Sequence, residues 1–143
     1  MKHHEPNDEG QTSVFVVGIT VVILLVSLTI GAIMSVTLQH RKLLSLADSA
    51  AQSAATAFTL ADPEELSLAI SQEAATTQVT EHLRNVDAEQ RFSNLNIEMI
   101  EVIGDTTVSV QLSATAHPPI VNWVLPAGVE VFAQGTARTQ LEQ

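Results

Sequence analysis

Residues 14–38 read VFVVGITVVILLVSLTIGAIMSVTL, 25 consecutive positions without a charged side chain, 16 of them Val, Ile, Leu or Phe. As a helix this block is about 37 Å long at roughly 1.5 Å per residue, whereas a bilayer core of about 30 Å needs about 20 residues to cross. Its large apolar side chains contribute roughly −5 to −10 kcal/mol on an insertion scale, more than its Thr, Ser and Gly oppose. Val and Ile are indifferent helix formers in water, but lipid offers the backbone no other way to satisfy its hydrogen bonds. A cleaved secretory signal has a shorter apolar stretch, about 7 to 15 residues, and ends at small residues. This run is longer and ends in Gln39-His40-Arg41-Lys42. The block is therefore an uncleaved membrane anchor, and the fold is built outward from it.

The rest of the composition is bounded by what the anchor takes away. The chain has 143 residues and is 45% hydrophobic but only 3% aromatic, so much of its apolar content is spent in the span and the remainder suits one modest domain. Sixteen acidic against six basic side chains give a net charge of −10. Without clustered Lys or Arg, nucleic acid is excluded as a partner. The absence of cysteine excludes a disulfide scaffold, a Cys-ligated zinc site and a thiol nucleophile.

Orientation is not fixed by charge. Lys2 and the amino terminus flank one side of the span, Arg41 and Lys42 the other, and the rule that counts Lys and Arg leans toward a cytoplasmic carboxyl end. Within the span Ser27, Gly31 and Ser35 recur at every fourth position, a spacing that lets two membrane helices approach closely and that also arises by chance in such helices.

Beyond the span, Gln39 to Leu60 contains neither Pro nor Gly, so the helix is expected to continue into water. Ala47, Ala50, Ala51, Ala54, Ala55 and Phe58 fall on one face at helical period, opposite Asp48, Ser49, Gln52 and Thr56. Such a face suits packing on a sheet or a neighbouring helix. Ala61-Asp62-Pro63-Glu64-Glu65 reads as a second helix start, with a capping Asp, a first-turn Pro and carboxylates at the positive end of the dipole. Leu66, Ile70, Ala74, Val79, Leu83 and Val86 give that helix an apolar side, and Arg84 to Asn94 reads as a loop.

From Leu95 the period changes to two. Leu95 to Ile103 carries apolar residues on both faces and is expected to be the most completely covered strand. Gly104-Asp105 suits a two-residue hairpin turn. A second strand sets Val108, Val110, Leu112, Ala114 and Ala116 against Ser109, Gln111, Ser113 and Thr115. A third sets Val129, Val131, Ala133 and Ala137 against Glu130, Gln134, Thr136 and Arg138. The expected fold is α+β and pilin-like: a long amino-terminal transmembrane helix running on as an amphipathic helix, a second helix, then a three-stranded antiparallel meander. The expected divisions are a leader (1–13), the span (14–38), the Ala-rich extension (39–61) and a helix-plus-sheet domain (62–143). Between the second and third strands, prolines bound an apolar cluster with Ile120, Trp123 and Leu125. It either plugs the open end of the core or touches a partner or the membrane surface, where Trp is favoured.

The order of these features resembles the TadE/TadG-like proteins of the tight-adherence (Flp) pilus machinery. The residues that carry the resemblance are Asp8-Glu9-Gly10-Gln11-Thr12-Ser13-Val14-Phe15 opening the span, Arg41-Lys42-Leu43 leading into Leu46-Ala47-Asp48-Ser49-Ala50-Ala51, and Gly135-Thr136-Ala137-Arg138 near the carboxyl end. The nearer resemblance is to short TadE-like proteins of actinobacteria. It implies a pilin-like or pseudopilin-like single-pass protein with a cytoplasmic amino end and an extracytoplasmic domain, acting in pilus assembly or a type II-like secretion apparatus. Its implied partners are other membrane components, TadE/TadG-like or Flp-type subunits, and membrane lipid. One departure matters: in pilins a peptidase cuts after a Gly, and a Glu at the fifth mature position pairs with a neighbour's new amino terminus. A cut after Gly10 puts Phe15 there, and no carboxylate lies between Gln11 and Leu46. An unpaired ammonium in an apolar bundle is costly. The expectation is an uncleaved membrane component, with a minor subunit that initiates assembly as the other course.

No catalytic constellation is legible. Glu81 and His82 are adjacent and point apart on a helix, His117 precedes two prolines, and His3-His4-Glu5 sits near a terminus without fixed geometry. No enzyme activity, metal or cofactor is expected. The competing class is a membrane-tethered binding or sensor module.

Overall fold

A computed structural model describes residues 9–59, 71–104, 106–118 and 126–139. One helix dominates it: α1 runs without interruption from Glu9 to Thr59, 51 residues, about 75 Å at ~1.5 Å per residue. It is two helices in chemistry. From Gly10 to Gly31 every residue is exposed, whereas Leu43, Ala47, Ala50, Ala51 and Ala54 are fully buried. The expected continuation of the span into an Ala-rich extension is thus one unbroken rod.

The second helix, α2, spans Gln72–Asn85 and buries Ala75, Val79 and Leu83. Its amino end is capped by Ser71, whose side chain accepts from the Ala74 N–H at 3.2 Å. The anticipated start at Asp62-Pro63, and the apolar Leu66 and Ile70, lie outside the described residues. The stretch read as a loop is more ordered than expected: Val86 and Asp87 turn the chain, and a four-residue helix α3 follows at Ala88–Arg91. Ala88 and Phe92 are buried there and pin the turn to the core.

Three strands follow, β1 (Ser93–Ile103), β2 (Thr107–Ala116) and β3 (Val129–Arg138), in an antiparallel sheet ordered β1-β2-β3. The register of β2 on β3 is unbroken from Thr107↔Arg138 to Ala116↔Val129. The register of β1 on β2 shifts twice, between Ser93 and Asn96 and between Ile97 and Met99.

Two sequence expectations need correction. The covered strand is β2, not β1: Val108, Val110 and Leu112 are fully buried, while Met99 and Ile103 on β1 are about half exposed. A meander places its middle strand at the centre, and apolar residues on an edge strand do not change that. The hairpin is also one residue longer than expected. The ladder closes at Ile103↔Thr107, leaving three residues to turn, with Gly104 at φ +59°. That left-handed conformation is one Gly adopts without strain.

The core lies between α1 and the sheet. Val108, Val110, Leu112, Ala114 and Ala116 from β2 and Val131, Ala133 and Ala137 from β3 meet the Ala face of α1, with α2 closing the flank. Val129, assigned to the same face by alternation, is partly exposed at the end of its strand. Small residues bury little area each, but they let the helix lie close to the sheet. The helix comes close at Gly135, where an added Cβ would overlap the backbone of Ala47 and Asp48.

Candidate functional surface: the two-part helix

Sequence and packing divide α1 by what covers it. The amino-terminal half presents Phe15 at 67%, Leu25 at 59% and Met34 at 69% exposure, apolar side chains that water would penalise and lipid or another apolar helix would not. Four of its hydroxyls are satisfied within the helix. Thr20, Ser27, Thr29 and Thr37 each donate to the carbonyl four residues back, Val16, Ile23, Leu25 and Ile33, at 2.8 to 2.9 Å. Such back-bonding removes the cost of a hydroxyl in hydrocarbon. Residues 10–57 contain a window long and apolar enough to cross a membrane, and that window has no share in the core.

The packing candidates read from the sequence fall into three groups. Ser27 and Gly31 are exposed and Ser35 is half-buried. Ala47, Ala51 and Ala54 are fully buried within this chain, against the sheet and α2. The Phe58 side chain lies outside the described residues, as do Ile120, Trp123 and Leu125. The described ends of their connection are Pro118, buried, and Pro126, exposed. Gly10 sits in the first turn of α1 with open space around it.

Burial does not begin where the apolar block ends. Ala32, Ser35, Val36 and Gln39 are already half-buried, and Val36 packs against the core. On the opposite side of the same turns Ile33, Met34 and Leu38 remain exposed. Arg41 and Lys42 follow, both exposed.

One Ser–His contact joins α1 to α2. Ser49 Oγ lies 3.1 Å from His82 Nε2 and donates to the Leu46 carbonyl at 2.9 Å. The pair is a tether between helices, set in an open groove lined also by Gln52, Ser53, Thr56 and Gln78. Glu81 is exposed on α2, and His117 is exposed beyond the end of β2. Among the described residues no group of three or more His, Asp or Glu could hold a metal ion.

The outer face of the sheet carries a polar network that alternation alone did not reveal. Ser109 and Ser113 are 4% and 2% exposed although they face away from the helices. Ser113 Oγ donates to Glu98 Oε1 at 2.6 Å, Gln134 Nε2 to Ser109 Oγ at 2.8 Å, and Asn94 Nδ2 to Thr115 Oγ1 at 3.2 Å. Glu98 lies where the β1 register shifts, and that irregularity lets its carboxylate reach both Asn96 and Ser113. The network locks the three strands side by side.

Neither the curated proteins nor the solved structures contain a match to the chain. Over residues 10–57, nearly the whole of α1, the chain matches the family model described as Tad, putative Flp pilus-assembly TadE/G-like, and it is in this helix that it is similar to that family.

Proposed function

We propose that the chain is a single-pass, minor-pilin-like component of a Flp/tight-adherence pilus or a type II-like secretion apparatus, with its amino end in the cytoplasm and its helix-and-sheet domain outside. The family matched by α1 is one of pilus assembly. The observation that carries the finer reading is the division of that helix: one half bare and apolar, the other half the central element of a folded domain. A rod of this kind couples what happens in the membrane to the position of the domain.

The bare half is the surface offered to lipid and to other membrane helices. Ser27, Gly31 and Ser35 form its line of close approach, and Ile120, Trp123 and Leu125 are proposed as the domain's partner contacts. The chain acts by assembly and not by catalysis, in keeping with the pilus-assembly family that α1 matches. Gly10 is a doubtful processing site because Phe15 stands where a cut would require a carboxylate, so the leader is retained. Amino-terminal sequencing of the mature protein is expected to begin before Gln11.

Copurification from mild detergent tests the assembly reading. The expected result is recovery of other membrane components of a pilus or secretion machine, reduced when Gly31→Leu fills the close-approach line. Recovery of no such component, together with a soluble ligand that raises the melting temperature, would favour a tethered binding module and overturn the proposal.

A further inference from the structure

The hydrogen bonds and groove residues fix which end of the sheet lies toward the apolar half of α1. Along α1, Ser49 meets His82, while Thr56 and Ala57 share a groove with Gln78, so α2 runs antiparallel to α1. The Gln72 side chain donates to the Ile100 carbonyl at one end of α2. At the other end Leu83 and Arg84 share a pocket with Leu95 and Ile97, so α2 is also antiparallel to β1. It follows that β1 points the same way as α1, and so does β3, because both are antiparallel to β2. The start of β1, the end of β2 and the start of β3 therefore lie toward the apolar half of α1. The β1–β2 turn lies at the far end.

The level of that lower edge follows from the contact of Gly135 with Ala47. Val129 is six residues earlier on β3, about 20 Å at ~3.3 Å per residue. Descending α1 from Ala47 by the same distance passes about 13 residues at ~1.5 Å each, to the neighbourhood of Met34, or somewhat higher if the strand is inclined to the helix. Independently, Val36 packs against the core. Both routes bring the foot of the domain level with the last two turns of the apolar block. A hydrocarbon core of about 30 Å uses only about 20 of the block's residues, and the headgroup layer adds about 5 to 7 Å on each side. The lower edge of the sheet is thus at headgroup depth.

We propose that this edge rests on the lipid headgroup layer, with His117, Pro126, Ala127 and Val129 as its lipid-facing rim. All four are at least partly exposed. Arg41 and Lys42, exposed one turn above Leu38, supply cations at the level of lipid phosphates, and α1 carries no carboxylate between Gln11 and Ala47. The proposal rests on the reading of residues 14–38 as a membrane span, and adds that the domain sits on the bilayer and is not held away from it on a stalk.

The chain lacks cysteine, so single-cysteine variants take a fluorescent label at one place. Ala127→Cys marks the rim, Ile103→Cys the far end and Leu24→Cys the span, all at exposed positions. The full chain is reconstituted into phosphatidylcholine–phosphatidylglycerol vesicles containing nitroxide lipids, labelled either at the headgroup or deep in the acyl chain. The expected result is that the label at 127 loses most of its fluorescence to the headgroup quencher, the label at 103 keeps it, and the label at 24 loses it to the deep quencher. Quenching at 24 with equal, weak quenching at 127 and 103 would overturn the proposal alone. No quenching at 24 would overturn the reading of the span, and the proposal with it.

Discussion

Gly135 is the residue on which the helix-to-sheet distance depends. Strands disfavour Gly because it loses backbone freedom and contributes no side chain to packing, so its place in the middle of β3 needs a reason. The reason is the backbone of Ala47 and Asp48, which an added Cβ would overlap. Backbone cannot rotate aside as a side chain can. Gly135→Ala is expected to destabilise the domain by about 3 kcal/mol, the upper end of ordinary overpacking, and Gly135→Val by more. Denaturant unfolding in detergent, followed by circular dichroism, measures it. A loss below 1 kcal/mol would mean that α1 can back away from the sheet. The Ala stripe on α1 was legible from its period, since 3.6-residue spacing is a property of one helix alone. The matching gap on β3 was not, because alternation assigns Gly135 to a face without saying how near the opposite element comes.

Among the elements, the strands separate what periodicity reveals from what topology decides. The inward face of β2 follows directly from the alternation of Val108, Val110 and Leu112 with Ser109, Gln111 and Ser113. The burial of Ser109 and Ser113 does not, because Gln134 and Glu98 on other strands bring it about. The apolar richness of β1 misleads for the same reason: coverage comes from neighbours, and an edge strand has one fewer. Leu112→Ala is accordingly expected to cost about 2 to 5 kcal/mol, as for a fully buried leucine, whereas Met99→Ala should change stability by no more than about 0.5 kcal/mol. Comparable losses for the two would show that the sheet buries both of its faces at β1. At the start of α2, Ser71 caps the Ala74 N–H, and Ser71→Ala should lower stability by about 1 kcal/mol. An unchanged melting temperature would place the functional helix start elsewhere.

For the whole molecule the question is whether the domain needs the apolar half of α1. The side chains of the buried core run from Leu43 to Ala137, and no residue up to Leu38 is fully buried among those described. Cutting before Gln39 removes the exposed apolar surface of the amino-terminal half of α1 and is expected to remove with it the need for lipid or detergent. It also removes Val36, a half-buried valine whose partial burial is worth about 1 kcal/mol. What remains keeps the Ala face of α1, both faces of β2 and the Ser49–His82 tether. Residues 39–143 are therefore expected to be soluble without detergent and to unfold in one cooperative transition, at a modestly lower temperature than the full chain. The full chain should require a membrane or detergent throughout. Heating both while following the far-ultraviolet signal makes the comparison, and size-exclusion chromatography shows whether the fragment stays monomeric. If the fragment melts without cooperativity, the span contributes to the fold of the domain as well as its place, and the division of α1 into an anchor and a core helix would fail.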